Sequence, residues 1–326
     1  MKVCVFGPGA VGGHLAGLLA DSGVDVSVVA RGAALQAMRR DGIVLRLDDR
    51  EVTARVRASD TPSELGPQDL VFVTVKTTAL AQVAATIAPL LGPDTPVVFV
   101  MNGIPWWYFH AHGGANEGRR MPRLDPGDAL WNAVGPQRAI AGIAMSACTV
   151  LAPGVVEVKG GNRMMTVGEP DGSLSPRLRQ IAGLLKNAGF PVEASERIRD
   201  SIWAKLMLNL GSGPMAVLAP APLMDLYAEP ACVAARGRAT QEVAAIAAAM
   251  GCHPQVDLDA QLAAVRASPH IPSIAQDALK GRPLEIDTMF LQPLEMAREC
   301  GVPTPTLDLL LALVMVKARA AGLYER

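Results

Sequence analysis

The chain opens with two short apolar runs, residues 3–6 and 24–30, on either side of a stretch, 14–22, whose apolar positions recur every three or four residues. Uninterrupted short apolar runs read as buried strands and the 3.6-residue period as a helix, so the opening predicts strand, helix, strand. The alternation continues. Residues 43–47 and 51–57 form a predicted strand pair, 70–75 a buried strand, 80–91 a helix, and 96–101 a strand leaving through Asn102-Gly103. Residues 139–150 and 155–159 are further predicted strands turning at Pro153-Gly154, followed by a helix over 177–188 and a short strand over 191–193. Such alternation predicts a mostly parallel sheet, with ligands outside the carboxyl ends of its strands.

Beyond residue 196 the period changes. Residues 197–210, 230–250, 274–280, 287–300 and 306–321 all carry helical spacing, punctuated by Gly211-Ser-Gly213-Pro214, Gly251, Pro269, Pro272 and 301–305. A length of 326 residues is long for one core. The prediction is an α/β Rossmann-type domain over 1–195 and an all-α domain over 196–326.

Within the opening unit, Gly7, Pro8, Gly9, Ala10, Val11 and Gly12 form the turn out of the first strand. Gly7 suits the tight turn, Gly9 lets a pyrophosphate approach the backbone, and Gly12 lets helix and strand pack closely. The unpaired N–H groups of the helix that follows point at such phosphates. Arg31, then Gly32, stands where an NAD site would carry Asp or Glu, and no carboxylate follows until Asp41. A guanidinium there pairs with a 2′-phosphate, so the expected cofactor is NADPH; the alternative is an ordinary solvated arginine.

Composition acts by exclusion. Half the residues are hydrophobic and only 4% aromatic, so Ala, Val and Leu must build most of the core. With 30 basic and 31 acidic residues, net charge −1, no global field favours nucleic acid or an anionic membrane. Five scattered cysteines lacking CxxC spacing argue for a reducing compartment and against a zinc site. A strand beginning at residue 3 leaves no room for a signal peptide, and the apolar run 309–316 is too short to span a bilayer. The expectation is a cytoplasmic protein with neither nucleic acid nor membrane as partner. The helix over 307–316 reads as core, with a homodimer interface as the alternative.

Lys76 and Asn102 both follow predicted strands, at the edge where ligands bind; the alternative for Asn102-Gly103 is a plain turn. Lys205 and Asn209, four apart on an apolar helix, share a face. Unpaired burial of such groups is costly, so they point to water, a cleft or a partner, and a snorkelling lysine is the bland alternative. Ser273 after Pro272 reads as a helix N-cap, and Glu285 as a charge just before a helix.

Taken together, these residues resemble the ketopantoate reductase family along nearly the whole chain. The carrying motifs are Gly7-Pro-Gly9-Ala-Val-Gly12-Gly13, Val75-Lys76-Thr77, Asn102-Gly103, Lys205-Leu-Met-Leu-Asn209, residues 273–277 (Ser-Ile-Ala-Gln-Asp) and residues 281–287. The resemblance implies NADPH-dependent reduction of a 2-oxo acid, ketopantoate to D-pantoate, on the route to pantothenate and coenzyme A. It implies Lys205 as the proton donor and Glu285 as a glutamate near lysine, substrate and cofactor. It further implies Asn209 and Ser273 as substrate hydrogen-bonding positions, Asn102 as a nicotinamide-side and substrate position, and Lys76 as a cofactor-side position.

Three departures from the family pattern bear on the substrate. Gly213 stands where a second asparagine is common, and Leu223 where a further one is expected, which predicts a roomier, more apolar pocket. Residues 104–138 form an insertion bearing Trp106, Trp107, Tyr108, His110, His112 and Trp131, read either as pocket-lining or as an anchor for its own loop. No Cys or carboxylate set accompanies the two histidines, so no metal is expected. A D-2-hydroxy-acid dehydrogenase for a bulkier 2-oxo acid is the alternative within this scaffold. A non-catalytic NADPH sensor is the alternative from another class.

Overall fold

A computed structural model describes residues 1–160 and 163–325, which divide into two compact units. One comprises residues 1–101 and 105–198, the other residues 102–104 and 199 onward. The first is α/β and the second all-α. Among the described residues no helix is long and apolar enough to cross a membrane.

The first unit begins with β1 (Lys2–Phe6), α1 (Ala10–Asp21), β2 (Asp25–Val29) and α2 (Gly32–Asp41). It continues through β3 (Ile43–Arg46), β4 (Glu51–Ala54), β5 (Arg57–Ser59), β6 (Leu70–Val73), α3 (Leu80–Thr86) and β7 (Val97–Val100). After α4 (Ala129–Ala133) come β8 (Ala139–Met145), β9 (Cys148–Ala152), β10 (Val155–Val158), β11 (Met164–Gly168), α5 (Pro176–Asn187) and β12 (Val192–Ala194). The main sheet runs β12-β11-β8-β7-β6-β1-β2-β5, parallel except where β8 meets β11. The chain builds outward from β1 through β2 to β5, then crosses to β6 on the other side. The carboxyl ends of β1 and β6 therefore mark the point where strand order reverses, where open α/β sheets bind ligands.

A second sheet, ordered β4-β3-β10-β9, joins segments more than a hundred residues apart, with Val44 to Arg46 beside Val155 to Glu157. It packs on α1, and the glycines of that helix permit it. A Cβ on Gly13 would come within 2.8 Å of Val156 Cγ2, and one on Gly17 within 2.6 Å of Leu45 Cδ1. Covered by a sheet on each side, α1 is buried from Gly12 to Leu19. The segment predicted as one strand over 139–150 is two, separated at Ser146 and Ala147, and the pair predicted over 43–57 gives its last residues to β5 in the main sheet. Helix α2, which buries Leu35, Ala37 and Met38, and strand β11 lie outside the elements predicted above.

His14 belongs to this buried helix. Its ring stacks on Phe190 at 4.8 Å, and its Nδ1 has no hydrogen-bond partner. Burial, with the positive charge of Arg163 adding to it, pushes the imidazole down to about 4. The unfolded chain takes up a proton near pH 6.5, so this site's contribution to stability is complete above that pH. It is lost as the pH falls toward about 4. At about 1.4 kcal/mol per pH unit the loss amounts to roughly 3 kcal/mol. In urea titrations between pH 7 and pH 4, His14→Leu should show a shallower fall in stability than the parent. Parallel curves would remove His14 from the acid response.

The second unit contains α6 (Ile198–Leu218), α7 (Leu223–Leu226), α8 (Pro230–Ala249) and α9 (Leu258–Arg266). It closes with α10 (Ser273–Leu279), a single π turn over Asp287–Leu291, α11 (Gln292–Glu299) and α12 (Pro305–Ala320). The expected break at Gly211-Ser-Gly213-Pro214 is absent, and α6 runs through it to Leu218. Pro214 forfeits one backbone bond, but every residue from Leu210 to Val217 is buried. The small side chains also admit neighbours. A Cβ on Gly211 would lie 2.7 Å from Thr240 Oγ1, and the Tyr227 hydroxyl sits 2.8 Å from Ser212 Oγ. Tertiary burial overrides local breaking propensity here.

Candidate active site

At the carboxyl end of β1 the three glycines have distinct surroundings. Gly7 has φ +92°, and a side chain on it would strike Val75. Gly12 presses against the Thr74 side chain and, at 2.5 Å for an added Cβ, the Gly7 carbonyl. A Cβ added to Gly9 would meet nothing within 4 Å, so that side of the backbone is open to a ligand. Gly9 precedes α1, whose first turn carries no acidic residue and no side-chain cap. These free N–H groups and the dipole end suit a phosphate. Pro8, Ala10 and Val11 complete the turn.

Arg31 follows β2 and flanks the start of α2, a second helix N-terminus beside the first. Its Nη1 donates to Gln82 Oε1 at 3.1 Å while the side chain stays exposed. Lys76 is exposed just beyond β6, preceded by the Thr74 and Val75 that seat Gly12 and Gly7. The loop out of β1, the start of α2 and the segment after β6 thus gather the residues expected on the dinucleotide side at one sheet edge.

The second unit assembles the remaining candidates. On α6, Asn209 lies about 40° and Gly213 about 80° round the helix from Lys205, so all three share one face. The Lys205 side chain is half-buried, and desolvation pushes its ammonium down to about 8. Asn209 Nδ2 is buried without a partner. A buried amide left unpaired is costly, and its natural complement is an acceptor on a ligand. Burial, then the Lys205 charge, also holds the His270 imidazole below its ordinary range, so His270 belongs to this neighbourhood. Its segment carries no motif that would single it out in the sequence.

Gly213 locates the other two elements. A Cβ there would touch Phe290 at 3.4 Å and Ile274 at 3.5 Å. Ile274 follows Ser273 at the start of α10, and Phe290 lies in the π turn that follows Glu285. The face of α6 that bears Lys205 and Asn209 is therefore packed against the segments carrying Ser273 and Glu285. Single π turns are frequent at functional sites.

Asn102 is tied to the same turn. The N–H of Ile104 donates to the Thr288 carbonyl at 2.9 Å, and Gly103, at φ +82°, passes so close to Thr288 that no side chain fits. Asn102-Gly103 is thus more than a reversal of the chain. Glu285 is buried, and its segment is held at both flanks by the C-terminal tail. The Leu284 N–H donates to the Leu323 carbonyl at 3.1 Å, and the Tyr324 hydroxyl to Asp287 Oδ1 at 2.9 Å.

Three expectations change, and between the two readings of the insertion the packing favours one. Ser273 is the first residue of α10 rather than its cap, and it makes no capping bond, which leaves the hydroxyl exposed. At Gly213 the pocket is more apolar but not roomier, because Phe290 and Ile274 occupy the space. Leu223 packs with Met215, Leu226, Tyr227 and Val265 in a core cluster. In the insertion, Trp106, Trp107, Tyr108 and Phe109 are each at most 1% exposed. Trp106 meets Phe99 of β7 edge-on at 5.5 Å, and the buried Asp125 carboxylate accepts from the N–H groups of Leu130 and Trp131. The aromatics anchor the loop on its own unit. A surface hollow of about 430 Å³ beside Trp131 and Arg138 contains none of the candidate site residues.

A Rossmann-type unit with an anion-ready glycine turn, joined to a helical unit bearing a half-buried lysine beside an unpaired amide, defines a dinucleotide-dependent oxidoreductase. Family models described as "Ketopantoate reductase PanE/ApbA" and "Ketopantoate reductase PanE/ApbA C terminal" match residues 3–172 and 197–318. The chain belongs to the ketopantoate reductase family. It is 40% identical to the 2-dehydropantoate 2-reductase of Mesorhizobium japonicum, over 100% of both chains. A protein of Ralstonia solanacearum MolK2 proposed as a ketopantoate reductase superposes with TM-score 0.92 at 39% identity, covering 99% of each chain. A D-mandelate dehydrogenase solved with NADH and anilino(oxo)acetate shares the fold, with TM-score 0.83 at 22% identity, covering 99% of this chain and 100% of that one.

Proposed function

We propose that the protein reduces a 2-oxo acid to a D-2-hydroxy acid with NADPH, and that the acid is ketopantoate, giving D-pantoate. The observation that carries this reading is the α6 face, where a half-buried lysine with a lowered pKa stands beside an amide nitrogen buried without a partner. The family relationship supplies the substrate class. Gly7 to Gly12 and the start of α1 would hold the pyrophosphate, Arg31 the 2′-phosphate and Lys76 the cofactor side, in the unit spanning most of residues 1–198. NADPH, when bound, supplies the hydride.

The chain's own residues manage the proton and the orientation. The Lys205 ammonium donates a proton to the substrate's carbonyl oxygen, so that the forming alkoxide is never left bare. Asn209 donates to the substrate through its unpaired amide, and Ser273 through a hydroxyl left free of capping. Glu285 and Asn102, both fixed against the π turn, orient lysine and substrate. Removing the tail's grip should loosen this arrangement. In Tyr324→Phe, kcat is expected to fall by up to roughly tenfold with NADPH affinity unchanged. Unchanged kcat would show that the tail does not position Glu285.

One observation favours a second reading within the same chemistry. The apolar wall of Phe290 and Ile274 at Gly213 suits a less polar 2-oxo acid. NADPH oxidation at saturating cofactor, with ketopantoate beside a panel of bulkier and aromatic 2-oxo acids, decides between them. A large kcat/KM advantage for ketopantoate supports the first reading. A larger value for a bulkier acid transfers the assignment to the second.

A further inference from the structure

Arg31 and Gln82 lie 51 residues apart, yet they meet directly through the 3.1 Å bond from Arg31 Nη1 to Gln82 Oε1. Both side chains are exposed, and both stand on anchored helices. Arg31 flanks the start of α2, which buries Leu35 and Met38, and Gln82 belongs to α3, which buries Leu80 and Val83. A carboxylate at position 82 would accept from the guanidinium more strongly and would neutralise it. A carboxamide accepts through its oxygen and leaves the positive charge in place. Its Nε2 brings further N–H donors to the same spot. Neither this Nε2 nor the Nε and Nη2 of Arg31 bonds to any described residue. The first turns of α2 and α3 carry no acidic residue.

We infer that Gln82 sets the preference between the two nicotinamide cofactors, forming with Arg31 a clamp that donates to the 2′-phosphate from two elements. The inference rests on the NADPH reading above and extends it to a residue outside the glycine turn and the end of β2. A ribose 2′-hydroxyl is bound best by an acceptor, which is why a carboxylate serves NAD sites. Here the side-chain acceptor beside Arg31, Gln82 Oε1, is already engaged, and what projects from the pair is a set of donors. Such a set matches a group with several anionic oxygens. Gln82 therefore acts twice, as a donor and as a neutral holder that leaves the guanidinium its charge.

Titrating the full chain with NADPH and with NADH, followed by tryptophan fluorescence, tests this. Gln82→Leu should weaken NADPH by roughly three- to fivefold, because one donor is lost from an exposed site. Gln82→Glu should weaken it by roughly tenfold or more, because the carboxylate pairs with Arg31 and repels the phosphate. NADH should bind both variants no worse than about twofold below the parent. Adenosine 2′,5′-bisphosphate and adenosine 5′-monophosphate, which differ only in the 2′-phosphate, should show the same contrast when they displace the cofactor. Equal weakening of NADPH and NADH by Gln82→Glu, or no weakening of either, would overturn the inference. If Arg31→Ala still separated the two cofactors in that case, the NADPH reading would stand without Gln82. A parent that binds NADPH no more tightly than NADH would overturn both.

Discussion

Lys205→Ala is expected to lower kcat by roughly two to four orders of magnitude while NADPH binds nearly as before. In the proposed mechanism the lysine would act as charge develops on the substrate oxygen, so its loss should fall on the chemical step. The same residue sets a pH dependence. Burial holds the ammonium at about 8 rather than 10.5, so it is protonated at neutral pH and gives up its proton as the pH rises through about 8. Reduction therefore declines by about tenfold per pH unit above that point, and oxidation of the hydroxy acid rises through the same range. Measuring kcat/KM in both directions from pH 6.5 to 9.5, with cofactor binding followed by fluorescence, checks both statements. Activity within a few-fold of the parent in Lys205→Ala, or a flat profile, would take the lysine out of the mechanism.

Arg31→Ala should weaken NADPH by roughly ten- to thirtyfold and leave NADH affinity within about twofold. The guanidinium is exposed, so its pairing with a 2′-phosphate is worth less than a buried charge-assisted bond. Gln82 holds it in place through Nη1, and the N-terminus of α2 adds its own attraction for an anion. Titrating both cofactors against parent and variant separates phosphate recognition from a general disturbance. Equal weakening of the two would mean that the guanidinium supports the loop instead of reading the phosphate.

Much of this was legible in the chain. The glycine turn, Arg31 and the lysine–asparagine pair are local features, fixed by spacing along one strand, one turn or one helix. The relation of Gly213 to Phe290 was not legible, because 77 residues separate them and no periodicity links them. A glycine in place of asparagine suggested empty space, and the space belongs to a phenylalanine from another element. The insertion likewise left two readings open, since aromatic residues look the same in sequence whether they line a pocket or fill a core.

By itself the sequence determined the alternation of strands and helices, the change of period near residue 196, and the residues that face one another across a single turn of helix. These depend on backbone geometry and on which side chains avoid water. The tertiary structure alone decided that α6 continues through Gly211 to Pro214, that β3 pairs with β10, and that the C-terminal tail braces Glu285. Each of these overrides or ignores local preference. Burial among distant partners contributes more free energy than a few weak propensities, and no stretch of neighbouring residues records which distant partners those are.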